Sequence, residues 1–94
     1  MSRMDTTVIT MDTNEALARR IADEVRAAMA DKRISQRDLA QATGLPLVTL
    51  NRRLTGVSKP FDVEELARVA GALGLSVVEI VLRAERAALR PAAA

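Results

Sequence analysis

Apolar residues recur every third or fourth position along most of this chain, and that spacing predicts helices. Leu17, Ile21, Val25 and Met29 fall four apart, with Ala18, Ala22 and Ala28 beside them. Arg19, Arg20, Asp23, Glu24 and Arg26 lie mostly off the stripe. The pattern predicts an amphipathic first helix from Asp12, paired with Glu15 as a capping box, to about Asp31. Ser35, with Asp38 three residues on, predicts the start of a second helix, 36–42, that buries Leu39 and Ala40 and stops at Gly44. Leu45-Pro46 opens a third, which ends at Gly56. Asp62 with Glu65 caps a fourth over 63–73, carrying Leu66, Val69, Ala70 and Leu73. Ser76 with Glu79 caps a fifth, carrying Val77, Ile80, Val81, Ala84 and Leu89.

Five helices with short connections make an all-α fold with its domain over residues 12–90. Residues 1–11 lack helical periodicity; the largely β-branched stretch Thr6–Met11 suits a short strand or a flexible arm, with Arg3 its one cation. Residues 91–94, a proline and three alanines, are expected to fray. Hydrophobic residues make up 49% of the 94 and charged residues 28%, a globular balance. The single aromatic residue, Phe61, is placed as a plug between helices 3 and 4.

Composition excludes several classes of function. With no Cys and no His, disulfides and the common zinc sites are ruled out, so no metal or cofactor is expected. Without Tyr or Trp as well, acid–base or nucleophilic chemistry would fall to Asp, Glu, Lys, Ser or Thr. No converging carboxylate pair and no Gly-rich phosphate loop is apparent, so the chain reads as no enzyme and no catalytic residue is assigned. Apolar runs are too short for a membrane span or a signal peptide, which leads to an expectation of a cytoplasmic protein.

Net charge is only +2, but it is unevenly placed. Between residues 33 and 59 stand Arg33, Arg37, Arg52, Arg53 and Lys59 against one acid, Asp38; the rest of the chain is mildly acidic. A basic segment on a neutral body is the footprint of a face that meets a polyanion, although a solvated basic patch has the same composition. Within it, Ala40 is small enough for two helices to cross closely, Gly44 tolerates a left-handed turn, and Leu50 with Leu54 can brace helix 3 from behind. The opposite face of helix 3 then carries Leu47, Val48, Thr49, Asn51, Arg52 and Thr55. The helix is about 13 Å long, and a major groove about 12 Å wide admits a helix of this kind.

This segment resembles the helix-turn-helix of the Cro and phage-repressor (XRE-like) regulators. The resemblance rests on Gln36, Leu39-Ala40, Gly44-Leu45-Pro46, Leu50 and Gly56, and it continues through Pro60-Phe61-Asp62, Glu65-Leu66-Ala67, Ala70 and Leu73-Gly74. It spans residues 15–83, and Thr49–Leu54 is especially like actinobacterial and actinobacteriophage members. It implies a five-helix, lambda-repressor-like DNA-binding domain with the motif in helices 2 and 3. It further implies base contacts from Leu47, Val48, Thr49, Asn51 and Arg52, and a Gln36 contact with phosphate or a base at the groove edge.

The chemistry suits those roles. Arg52 can donate twice to guanine, Asn51 can pair with adenine or a phosphate, and Leu47 and Val48 can pack on a thymine methyl. Gln36, Arg37, Thr55 and Lys59 are placed for phosphates. Each has an ordinary alternative: Leu47 and Val48 as core, Gln36 as part of the helix 2 cap, Arg52 and Lys59 as solvated side chains. Position 53 is usually apolar in the family and here is Arg53, which either snorkels from the core or reaches a phosphate.

Helix 5 is apolar on more than one face, and Val78, Val81, Leu82 and Leu89 are read as a homodimer surface; packing of the tail against helix 1 is the alternative. A twofold dimer implies a palindromic operator in double-stranded DNA with half-sites about 34 Å apart. The leading functional expectation is a repressor of a phage or mobile-element promoter, in a bacterial cell or phage-infected host. An antitoxin that autoregulates its operon and neutralises a toxin is the alternative, and a protein adaptor without DNA binding is a third.

Overall fold

The computed structural model describes the backbone of residues 2–57 and 59–89, and side chains from Glu15 onward. The described backbone holds five helices: α1 (Ser2–Lys32), α2 (Gln36–Thr43), α3 (Leu47–Thr55), α4 (Val63–Ala72) and α5 (Val77–Leu89). Residues 90–94, and with them the expected frayed tail, lie outside the described residues.

Helices α2, α4 and α5 start where reciprocal capping boxes put them. At α2, Ser35 Oγ accepts from the Asp38 amide at 3.0 Å while Asp38 Oδ2 accepts from the Ser35 amide at 3.2 Å. Asp62 with Glu65 and Ser76 with Glu79 repeat the exchange. Each box satisfies two amides that the first helical turn leaves without partners.

The start of α1 departs from expectation. Residues 2–11 are helical rather than strand or arm, and the Asp12–Glu15 pair falls inside the helix instead of opening it. A helix nucleated by its packed half gains one backbone hydrogen bond per added residue. That gain outweighs the few tenths of a kcal/mol that each β-branched residue costs.

The turn between α2 and α3 is built from three residues. Gly44 adopts φ 79° and its amide donates to the Ala40 carbonyl at 2.9 Å, closing α2. Thr43, buried beside it, donates its hydroxyl to the Leu39 carbonyl at 2.8 Å and accepts from the Leu45 amide at 3.3 Å. Pro46 then stands just before α3 with ψ 141°, one residue earlier than a first helical position. Proline also biases Leu45 toward extended backbone, so the chain cannot run α2 straight into α3.

One aliphatic core joins all five helices. Val25, Leu39, Leu50, Leu54, Val69, Leu73 and Ile80 are almost completely buried, and Ile21, Ile34, Leu45, Phe61 and Val77 pack around them. Phe61, expected as a plug between helices 3 and 4, is half-buried and packs against this core. Antiparallel pairing of α1 with α5 follows from two contacts: Lys32 lies beside Gly74, and Arg20 Nε donates to the Ala84 carbonyl at 3.1 Å. Arg26 of α1 donates to the Leu54 carbonyl near the end of α3 and pairs with Asp23. The helix-turn-helix therefore leans on α1 behind and on α4 at its side, which leaves the front of α3 clear.

A Cβ added at Gly44 would meet nothing within 4 Å, so substitution there strains only the backbone. Gly44→Val is expected to cost about 1–3 kcal/mol. At 4–8 °C per kcal/mol for a domain of this size, the thermal midpoint should fall by several degrees. An unchanged midpoint would show that the left-handed conformation is not needed.

Candidate nucleic-acid interface

Nine residues make α3, and its two faces do different work. Leu50, Arg53 and Leu54 point inward; Leu47, Val48, Asn51, Arg52 and Thr55 are exposed, and Thr49 is half-buried on the flank. Val48, 64% exposed, and Leu47, 41% exposed, are the apolar side chains on this outer face.

Leu47, Val48, Asn51 and Arg52 share one shallow concavity with Ser35, Gln36 and Arg37 from the start of α2. Candidate base readers and two of the candidate phosphate contacts are thereby brought together from two helices. Asn51 Nδ2 donates to Gln36 Oε1 at 3.1 Å across the gap. No side chain caps α3, whose Ncap is Pro46, so the first amides of the helix lie at the same end with their partial positive charge.

The other expected contacts lie elsewhere. Lys59 is exposed and lines a second groove, which α1 forms with the end of α3 through Arg19, Asp23 and Thr55. Thr55 donates its hydroxyl to the Asn51 carbonyl at 2.9 Å, so its hydrogen is spent within the helix and it does not stand ready to donate to a phosphate.

Arg53 requires a correction. It is not a phosphate contact: the residue is only 8% exposed and its guanidinium faces α4. Nε donates to Glu65 Oε1 at 2.9 Å and Nη2 to Glu65 Oε2 at 3.2 Å. Glu65 Oε1 also accepts from the Asp62 amide at 3.0 Å, so one carboxylate caps α4 and holds α3. Position 53 falls with Leu50 and Leu54 at i, i+3, i+4, the spacing of an inward face. That signal places it inside; its charge suggested otherwise.

The Arg53 hydrogen bonds hold the Glu65 carboxyl below its ordinary range. Burial opposes them, and the Asp62 amide and the charges of Arg53 and Lys59 add to the lowering. Arg53 is raised in turn, chiefly by its hydrogen bonds to Glu65. Among the described residues no cluster of carboxylates could hold a metal, no buried side-chain nitrogen or oxygen lacks a partner, and no helix is long and apolar enough to cross a membrane.

Two short helices about a left-handed glycine, the second braced from behind and exposing polar and small apolar side chains beside the first, define a helix-turn-helix that can enter a DNA groove. The profile of the Cro/C1-type HTH DNA-binding domain matches residues 24–83, so the chain belongs to that family. Among solved structures it is similar to the clp gene regulator ClgR from Corynebacterium glutamicum. The two share 30% identity over 76% of this chain and 74% of that one, with a TM-score of 0.69. No curated protein matches. The ClgR likeness agrees with the actinobacterial character of Thr49–Leu54.

A lowered Glu65 pKa means that the unfolded chain binds more protons, so this contribution to stability is complete above the unfolded carboxyl's pKa of about 4.3 and disappears as pH falls through the lower native value. Glu65→Gln should therefore melt below the wild type at pH 7, and the gap should narrow steadily from about pH 5 downward. A gap that stays constant from pH 7 to pH 3, followed by circular dichroism, would mean that the pair does not carry the effect.

Proposed function

We propose that this chain is a sequence-specific transcription regulator, most simply a repressor that occupies a phage or mobile-element promoter as a homodimer. The observation that carries the reading is the concavity in which Leu47, Val48, Asn51 and Arg52 meet Gln36 and Arg37. A helix of about 13 Å fits lengthwise in a major groove, with the start of α2 over the adjacent backbone. Family membership supports DNA as the partner, and the likeness to a gene regulator supports control of transcription as the purpose. Repression by occupancy needs no chemistry from the protein, and it acts where bacterial DNA lies, in the cytoplasm.

Twofold association is supported by α5. Val78 is 65% exposed, Leu82 and Leu89 are exposed, and Val81 is half-buried beside them. A dimer joined there would read a palindrome with half-sites one DNA turn, about 34 Å, apart. Selection of bound duplexes from a random pool at fixed salt tests both parts. Recovery of a consensus with two inverted half-sites is the expected result; a single half-site would argue for a monomer.

On the selected duplex, Arg52→Ala should lose about 1–3 kcal/mol and relax the preference at one base pair. Arg37→Ala should weaken all sequences alike and reduce the salt slope by about one. If titrations at several salt concentrations gave the reverse pattern, the two roles would have to be exchanged.

A further inference from the structure

Arg33 stands where the backbone asks for glycine. Gly44, Gly56 and Gly74 have left-handed backbones, and among the described residues Arg33, at φ 58°, is the one non-glycine that shares the conformation. The end of α1 requires it. The Arg33 amide donates to the Ala30 carbonyl at 3.2 Å and the Ile34 amide to the Met29 carbonyl at 2.9 Å, the paired bonds of a Schellman turn. Ile34 and Met29 both belong to the core that this turn closes. A Cβ in a left-handed residue crowds the following carbonyl oxygen, so glycine would hold the same turn with less strain.

Nothing inside the fold repays that strain. Arg33 is exposed, and its guanidinium has no hydrogen bond or ion pair among the described residues. A cation does complement the end of a helix dipole, but Lys32 already supplies one in the last turn of α1 from an unstrained position. The location is more informative. Ile34 turns toward the core with exposed Arg33 and Ser35 on either side of it, and Ser35 lines the concavity with Gln36 and Arg37. Gln36 is three residues from Arg33, at most about 10 Å along a fully extended chain.

We propose that Arg33 is a further contact to the DNA backbone: its guanidinium binds a phosphate beside the start of α2, and the strained turn is kept for the sake of that charge. The planar fork suits two phosphate oxygens. Arg33 and Arg37 then hold the strand from the two sides of Gln36, setting register without reading a base. The inference rests on the DNA-binding function proposed above.

The test uses the full chain, the tightest-binding duplex from random-pool selection and an unrelated duplex of equal length. Arg33→Gly relaxes the turn, so its thermal midpoint should equal or exceed that of the wild type. Its affinity should nevertheless fall on both duplexes alike, by about 5-fold at 150 mM salt and about 15-fold at 50 mM, as the salt slope drops by about one. Arg33→Asn is neutral, tolerates the left-handed turn and is less pliant than glycine; it should show the same loss, which separates the missing charge from a loosened joint. Arg33→Lys should keep the wild-type slope. If Arg33→Gly and Arg33→Asn retain the wild-type slope while Arg37→Ala reduces it, DNA binding stands and the Arg33 proposal is overturned. A loss confined to the selected duplex overturns it too, since a phosphate contact cannot distinguish sequences. If the wild type binds neither duplex, the DNA-binding function itself falls.

Discussion

The placement of α3 depends on the carboxylate of Glu65. It receives two hydrogen bonds from Arg53 and one from the Asp62 amide, so the end of α3 and the start of α4 are fastened to the two oxygens of one carboxylate. Only three side chains of α3 face inward, and Leu50 and Leu54 hold it by burial, which is strong but indifferent to direction. The planar guanidinium fork and the carboxylate meet in one geometry, so they set the rotation of α3 as well as its depth. Desolvating an arginine is costly, so such a pair gains little over well-packed apolar residues, although removing one partner alone is destabilising. Its value is angular: a few degrees of roll at α3 would carry Asn51 and Arg52 away from the positions they share with Gln36.

Much of this architecture was legible residue by residue. Ser35-Asp38, Asp62-Glu65 and Ser76-Glu79 opened the helices they mark, since each box closes locally and needs no tertiary information. Gly44 ended α2 for the same reason, and Leu50 with Leu54 faced the core as their spacing required. The failures have physical causes too. Asp12 and Glu15 have the letters of a cap, but a helix propagating from a packed segment overruns a cap that nothing obliges it to use. The partner of Arg53 lies twelve residues away across a loop, so its charge argued for the surface while its helical position argued for the interior, and position prevailed. Thr55 looked like a free donor because back-bonding to its own helix leaves no mark in the sequence.

The interface shows a division of labour between rigid and permissive parts. Turn, core and pair leave little freedom in how α2 and α3 meet, whereas Leu47, Val48 and Arg52 have no structural task that the fold would miss. The absence of a side-chain cap on α3 belongs to the same economy: the first turn keeps its amides at the end where the reading side chains gather.

Arginines of α1 hold the rest of the domain by a different kind of bond. Arg20 and Arg26 reach the other helices through the main-chain oxygens of Ala84 and Leu54, while the Asp23 carboxylate that Arg26 also pairs with belongs to α1 itself. Main-chain acceptors are the same whatever residue supplies them, so these attachments are blind to mutation in the helices they secure. Lineages descending from this domain can exchange residues along α3 and α5, acquiring other operators or other associates, while the supporting rod keeps its grip.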